Sequence, residues 1–323
     1  MELSDMFLEK YQCVPPKKLI VADNNIAGFK FNHKIRIAFF LDQRDPVTYK
    51  TNFFLSIFFL VRYMINKQCI GIVGGVGPYA GLDLERKIFE HTQAVTDQDH
   101  LNVINISKSC AIEDRTAFLL GQIKKNPADS ISAIIQEMAG LGVVVVGIPC
   151  NTAHAPLIFN SILKNLKKVH AQVKLVNMVE ETVAWIRIYH EALKKIGILS
   201  TTRAYKVRLY PNILEKYGME AIMVNEKIQK TVHNAIYNKI YGIKAKQNPV
   251  SNIAQIELIQ AVRYLQKRGA QAIILGCTEI PLAINGNFLD DTILIDPTTI
   301  LARSLIRIID PNKLKSWNLE ASP

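Results

Sequence analysis

Short apolar runs alternate with amphipathic stretches from Gln68 onward. Cys69-Ile70-Gly71-Ile72-Val73, Leu101 to Ile106, Val143-Val144-Val145-Val146-Gly147-Ile148 and Lys174 to Met178 read as strands, followed by Ile196 to Leu199, Ala221 to Val224, Ala272-Ile273-Ile274-Leu275 and Ile293-Leu294-Ile295. The most apolar of these suit a parallel sheet, in which both faces of a strand are covered. Helical periodicity fills the intervals: 79–92, 127–139, 156–169, 179–194, a stretch ending near Tyr217, 226–241, 250–268 and 299–309. Asn126 caps and Pro127 opens the second of these, and Gly269 stops the helix over 250–268, as helix ends require. Strict alternation of strand and helix predicts an α/β fold. The order leading to Cys150 repeats in the order leading to Cys277, so the expected architecture is two similar domains, each a parallel sheet flanked by helices, with the active site in the cleft between them. The boundaries are 67–178 and 179–296, followed by a C-terminal helix in 297–323 that packs back on the first domain.

Residues 1–66 differ from the rest and read as a poorly patterned N-terminal extension. They carry Cys13, Pro15, Pro16 and the run Phe53-Phe54-Leu55-Ser56-Ile57-Phe58-Phe59-Leu60-Val61. That run is too short to span a bilayer and lies too far in for an ordinary secretory signal. Three readings stay open: a loosely structured extension, a membrane-surface anchor, or translation starting at Met64.

Composition narrows the classes. The chain has 323 residues, 49% hydrophobic and 21% charged, with a net charge of +11, which fits one large or two ordinary globular domains. The lysines are scattered in pairs such as Lys124-Lys125, Lys167-Lys168 and Lys194-Lys195, near expected helix ends. That distribution complements helix dipoles and attracts a small anion, and it does not form the clustered stripe of a nucleic-acid binder. The expected protein is cytoplasmic, with no integral membrane segment and no nucleic-acid partner; a homodimer is an open expectation.

The chemistry concentrates in Pro149-Cys150-Asn151-Thr152-Ala153-His154 and a partial echo, Gly276-Cys277-Thr278-Glu279-Ile280-Pro281. Each cysteine follows the carboxyl end of an apolar strand, where open α/β sheets bind their ligands. An isolated cysteine is usually an inert core residue; two at equivalent strand ends, each beside a hydroxyl, point to a paired site. Zinc is disfavoured because Cys-x-x-Cys and His-x-x-x-His pairs are absent, so no metal is expected. Five cysteines in so long a chain do not make a disulfide framework. The loop Gly74-Gly75-Val76-Gly77-Pro78 between strand and helix can present backbone N–H groups to an anion, but it is neither a dinucleotide fingerprint nor a Walker loop.

Taken together, Gly74-Gly75-Val76-Gly77-Pro78, Asp114-Arg115-Thr116-Ala117 and the two cysteine motifs resemble, in order and approximate spacing, the aspartate/glutamate racemase family. The Pro before Cys150, His154 and Glu279 look like its aspartate-racemase branch. The resemblance covers about Gln68 to Ile309 and implies racemisation without pyridoxal phosphate, hence no cofactor. It further implies that Cys150 and Cys277 are catalytic and that Arg115 and Lys230 each meet a substrate carboxylate. Thr201 and Thr202 then form a hydroxyl loop beside the substrate, with Asn151, Thr152 and Thr278 in contact with it and Gly75, Val76, His154 and Glu279 in support. One departure stands out: the acidic residue common after Gly-Pro is Tyr79 here.

Racemisation takes the α proton from one face and returns one to the other, which a thiolate and a thiol on opposite faces accomplish. Both cysteines precede expected helix starts, so the dipoles should favour each thiolate in turn. The implied activity is cofactor-independent interconversion of L- and D-aspartate or glutamate. Isomerisation or decarboxylation of another small dicarboxylate, and a non-catalytic carboxylate-binding regulator, are the alternatives.

Overall fold

A computed structural model describes residues 68–284 and 286–317 in full, together with the backbone of 19–22, 26–31 and 35–40. The chain divides into two compact units, Met1–Asn66 and Lys67–Pro323. In the first unit, β1 (Leu19–Ala22), β2 (Ile26–Phe31) and β3 (Ile35–Phe40) form an antiparallel sheet in that order. The reading of residues 1–66 as a poorly patterned extension does not anticipate these strands. The period-two alternation of Ile35, Ile37 and Phe39 with Arg36 and Ala38, and the polar links Asp23-Asn24-Asn25 and Asn32-His33-Lys34, are the marks of short hairpin strands. The Phe53–Val61 run and Met64 lie outside the described residues.

The second unit carries two sheets. One has the order β5-β4-β6-β7, made of β4 (Cys69–Gly74), β5 (Val103–Ser107), β6 (Val143–Gly147) and β7 (Lys174–Leu175), all parallel. The other has the order β11-β12-β10-β8-β9, made of β8 (Lys195–Ser200), β9 (Glu220–Met223), β10 (Ala272–Gly276), β11 (Phe288–Leu289) and β12 (Thr292–Ile295). There β11 alone runs antiparallel. Numbered within each lobe, the parallel strands share one order, 2-1-3-4, and this lobe-to-lobe correspondence explains why the two cysteine motifs echo one another. In such a sheet the chain leaves strands 1 and 3 in opposite directions, opening a crevice at their carboxyl ends.

Helices cover both faces of each sheet. On the first sheet, α1 (Pro78–His91) lies on one face, and α3 (Pro127–Gly140) and α4 (Pro156–Lys168) lie on the other. The C-terminal helix α11 (Pro297–Ile309) shares the α1 face, packing Leu301, Leu305 and Ile306 against Ile70, Ile72 and Val145. A buried ion cluster fastens it there: Lys87 of α1 bonds Asp296, the α11 cap, at 2.6 Å, and also pairs with Asp83. On the second sheet, α8 (Glu226–Tyr237) and α9 (Asn252–Lys267) cover one face, and α5 (Met178–Tyr189) and α7 (Pro211–Lys216) the other.

Several element boundaries differ from the sequence reading, each for a local reason. Asn177 accepts from the N–H groups of Val179 and Glu180 and so starts α5 where a strand through Met178 was expected. The helix expected to end near Tyr217 is broken into α6 (Thr202–Lys206) and α7, because Pro211 lacks an N–H and suits only the first helical position. The polar loop after Glu113 contains a short helix, α2 (Arg115–Leu119), capped by Asp114 accepting from Ala117 N at 2.6 Å. No helix among the described residues is long and apolar enough to cross a membrane.

Candidate active site

The loops leaving β4, β6, β8 and β10 meet at one cavity with about 320 Å³ of empty space, part of it open to solvent. Val76, Arg115, Cys150, Asn151 and Thr152 line it from the first lobe, and Thr201, Tyr237, Lys244, Cys277, Thr278 and Glu279 from the second. Both cysteines are buried and free.

Cys150 leaves β6 in extended conformation and starts a four-residue 3-10 turn, Asn151–His154, ahead of α4. His154 fixes that turn. Its Nδ1–H donates to the Cys150 carbonyl at 2.9 Å, and its ring stacks on Phe159 with centroids 5.1 Å apart. Burial pushes this imidazole down to about 4, so it is neutral near pH 7. Asn151 is 2% exposed; its Oδ1 accepts from the Tyr210 hydroxyl, which reaches over from the other lobe. Its buried Nδ2 has no hydrogen-bond partner among the described residues. Thr152 and Thr201 bring their hydroxyls to 3.4 Å across the same seam.

Gly75 supports the site from one step away. Its φ of +81° suits glycine, and a Cβ there would lie 2.7 Å from Ser109 N. The turn it makes presents Val76, whose carbonyl accepts from Arg115. Arg115 lines the same cavity as Cys150, whose charge bears on it electrostatically. Burial alone would lower its pKa, but Cys150 and Asp114 outweigh that and leave it raised.

Lys230 is a correction. It is exposed on α8 and does not line the cavity. The inward stripe of that helix is Gln229, Val232, Ala235 and Ile236, with Gln229 donating to Ser200 O at 2.9 Å. One residue along a helix turns the side chain by about 100°, which carries Lys230 away from the site. The lysine present is Lys244, in the segment after α8. Its ammonium pairs with Glu279 and lies 5.5 Å from the centroid of the Tyr237 ring. Tyr237 in turn brings its hydroxyl to 3.3 Å from Thr116 of the first lobe. Thr202 is a second displaced residue: Thr201 faces the cavity and caps α6, whereas Thr202 opens the helix outside the lining.

At Cys277 the expectation of a dipole-stabilised thiolate is not met. The helix that follows, α10 (Ile280–Ala283), has four residues and starts two residues beyond the cysteine's neighbour Thr278, too short to build a macrodipole. The thiol instead donates to Glu279 Oε2 at 3.0 Å. Burial pushes its pKa well above the ordinary value, and the Glu279 charge adds to the effect. Burial would raise Glu279 as well, but Lys244 and the Cys277 S–H hold that carboxyl below its usual range. Cys277, Glu279 and Lys244 therefore form a thiol–carboxylate–ammonium chain.

Lys244, Tyr237, Tyr210 and Thr116 are the lining or supporting groups that sequence reasoning missed. Tyr237 stands eight positions after Gln229, about 80° round the helix from it and outside the buried stripe, so the periodicity of α8 gave no signal for it. Lys244 carries no signal either, since it belongs to a loop between two helices.

Two α/β lobes of matching strand order, with paired cysteines and flanking cations at the crevice between them, define a class of two-lobed racemase-like fold. The Asp/Glu/hydantoin racemase family model matches residues 73–305, and the chain belongs to that family. Solved structures of similar fold include an aspartate racemase from Picrophilus torridus (TM-score 0.62, 23% identity, covering 75% of this chain and 94% of that one). A second is an aspartate racemase homologue from Pyrococcus horikoshii OT3 (0.56, 20%, 75% and 99%). A third is a glutamate racemase from Francisella tularensis in complex with D-glutamate (0.55, 16%, 80% and 86%). Family and fold support an isomerase-type enzyme.

Proposed function

We propose that this protein racemises a small dicarboxylic amino acid, aspartate first among the candidates, by proton transfer between Cys150 and Cys277. The observation that carries the reading is the meeting of both sulfurs, one from each lobe, in a single cavity with Arg115 and Lys244. The Cys277 thiol donates to Glu279, so in one direction of the reaction Cys277 is the proton donor and Cys150, which lines the same cavity as Arg115, is the acceptor. Cys150 takes the α proton from one face of the substrate: the C–H bond breaks and an S–H bond forms. Cys277 gives its proton to the opposite face, forming the new C–H bond and leaving a thiolate. The reverse direction exchanges the roles. Arg115 holds one carboxylate with its planar fork, and Lys244 meets the other as a point charge. Charge placed at the carboxylate of the carbanionic transition state, together with the Asn151 amide, lowers the barrier to removing so weak an acid.

Proton NMR in deuterium oxide tests this. Each enantiomer of aspartate should lose its α-proton signal while optical rotation decays. Intact α-proton signals for aspartate and glutamate, with a folded protein present, would overturn the reading.

A further inference from the structure

The cavity gathers two cations, Arg115 and Lys244, and one carboxylate, Glu279. On the dicarboxylic reading above, on which this inference rests, the two cations answer the two carboxylates of the substrate. The ammonium is left over. It is desolvated on binding, and a buried cation without a counter-charge is strongly disfavoured. The hydroxyls of Thr152, Thr201 and Thr278 can accept a hydrogen bond but carry no charge.

Among the described residues that line the cavity, Glu279 is the sole carboxylate, and it is 3% exposed. Its Oε2 lies 3.0 Å from the Cys277 sulfur. An α carbon within proton-transfer reach of that sulfur can therefore place its amine against the same carboxylate. A site built for a plain diacid would gain nothing from this group, which repels carboxylates and occupies Lys244. The first lobe also leaves room for it: a Cβ at Gly77 would lie 3.0 Å from Glu279 Oε1. We propose that Glu279 receives the α-ammonium of the substrate and thereby selects amino acids over the corresponding unsubstituted diacid.

The test is calorimetric titration of the full-length chain carrying Cys150→Ser and Cys277→Ser, so that bound ligand does not turn over. The ligands are L-aspartate, D-aspartate and succinate, which has both carboxylates and no amine. Adding Glu279→Gln should weaken both aspartates by about tenfold or more, the scale of a charge-assisted hydrogen bond. Succinate should bind unchanged or tighter, because Lys244 is released. Parallel weakening of aspartate and succinate would overturn the proposal and leave Glu279 as a mere holder of Lys244. Failure of the parent to bind any of the three would instead overturn the dicarboxylic reading beneath it. Glu279→Asp keeps the charge and should keep the preference for aspartate; if it binds aspartate and succinate alike, the assignment fails equally.

Discussion

The Cys277 thiol donates to the Glu279 carboxylate at 3.0 Å, and among the described residues no corresponding carboxylate lines the cavity on the Cys150 side. The two sulfurs are thus equivalent in topology and unequal in charge environment: one faces an anion, the other a guanidinium. Burial and the Glu279 charge both disfavour a thiolate at Cys277.

Replacing either cysteine by Ser should nearly abolish racemisation while leaving the fold intact. Each single variant keeps one sulfur and should still exchange the α proton of one enantiomer in deuterium oxide, the two variants preferring opposite enantiomers. Proton NMR with each enantiomer separately reads this out. A double variant that racemises at the wild-type rate would rule out the two-thiol mechanism.

Lys244→Met should raise the KM for aspartate by about tenfold or more, the cost of losing a charged contact in a poorly solvated site. Lys230→Met, on an exposed helix face, should leave the kinetics within error of wild type. Steady-state rates on the two proteins decide between the lysines, and a large loss with Lys230→Met alone would restore the sequence-based assignment.

Gly77→Ala tests the seam between the lobes. The Gly77 backbone is extended, with φ of −172°, and any residue can adopt it. The added methyl would meet only the Glu279 carboxylate and Ala80 at close range. The variant should melt close to wild type, yet lose activity because Glu279 is displaced from Lys244 and Cys277. A variant with wild-type activity and stability would show that the carboxylate can shift without consequence.

His154 sets a pH dependence of stability. Its folded-state pKa of about 4 lies below the ordinary value of 6.5. Between those values the unfolded chain binds a proton that the folded chain does not, so stability falls as pH is lowered through that window. The loss approaches the order of 3 kcal/mol near the lower end. In thermal melts between about pH 7.5 and about pH 5, His154→Gln should lose less Tm than wild type. Parallel pH slopes for the two proteins would contradict this account of the buried imidazole.

Expression of residues 67–323 alone should yield a folded protein, because Lys67–Pro323 forms its own compact unit with both sheets and the whole cavity lining. Circular dichroism and a cooperative melt check this. A truncated chain that is insoluble or molten would assign a structural role to residues 1–66.

The apolar runs ending at Ile148 and Leu275 were enough to place Cys150 and Cys277 at strand ends, because a strand buried on both faces leaves a continuous hydrophobic signature and its carboxyl end is where open sheets bind. The same local logic exposed the loop containing Gly75, the Asp114-Arg115 cap and the alternation of strands with helices. It missed β1 to β3, whose short period-two alternation is a weak signal, and it misplaced Lys230 through a motif match that ignored the helical phase set by Gln229 and Val232. Other relationships were not local at all. Lys244 lies far from Glu279 in sequence, and only the packing of α8 against its sheet and the path of the following loop bring them together. The same holds for Thr116 with Tyr237, Tyr210 with Asn151, and Gly77 with Glu279. The protonation of Cys277 also depends on burial and on the ion pair beside it, and both are properties of the assembled crevice. Sequence determined which groups stand at the ends of strands, because strand formation is written in neighbouring side chains. Tertiary structure decided which charges face each sulfur, because electrostatic interaction depends on distance and solvent exclusion, which the linear order does not encode.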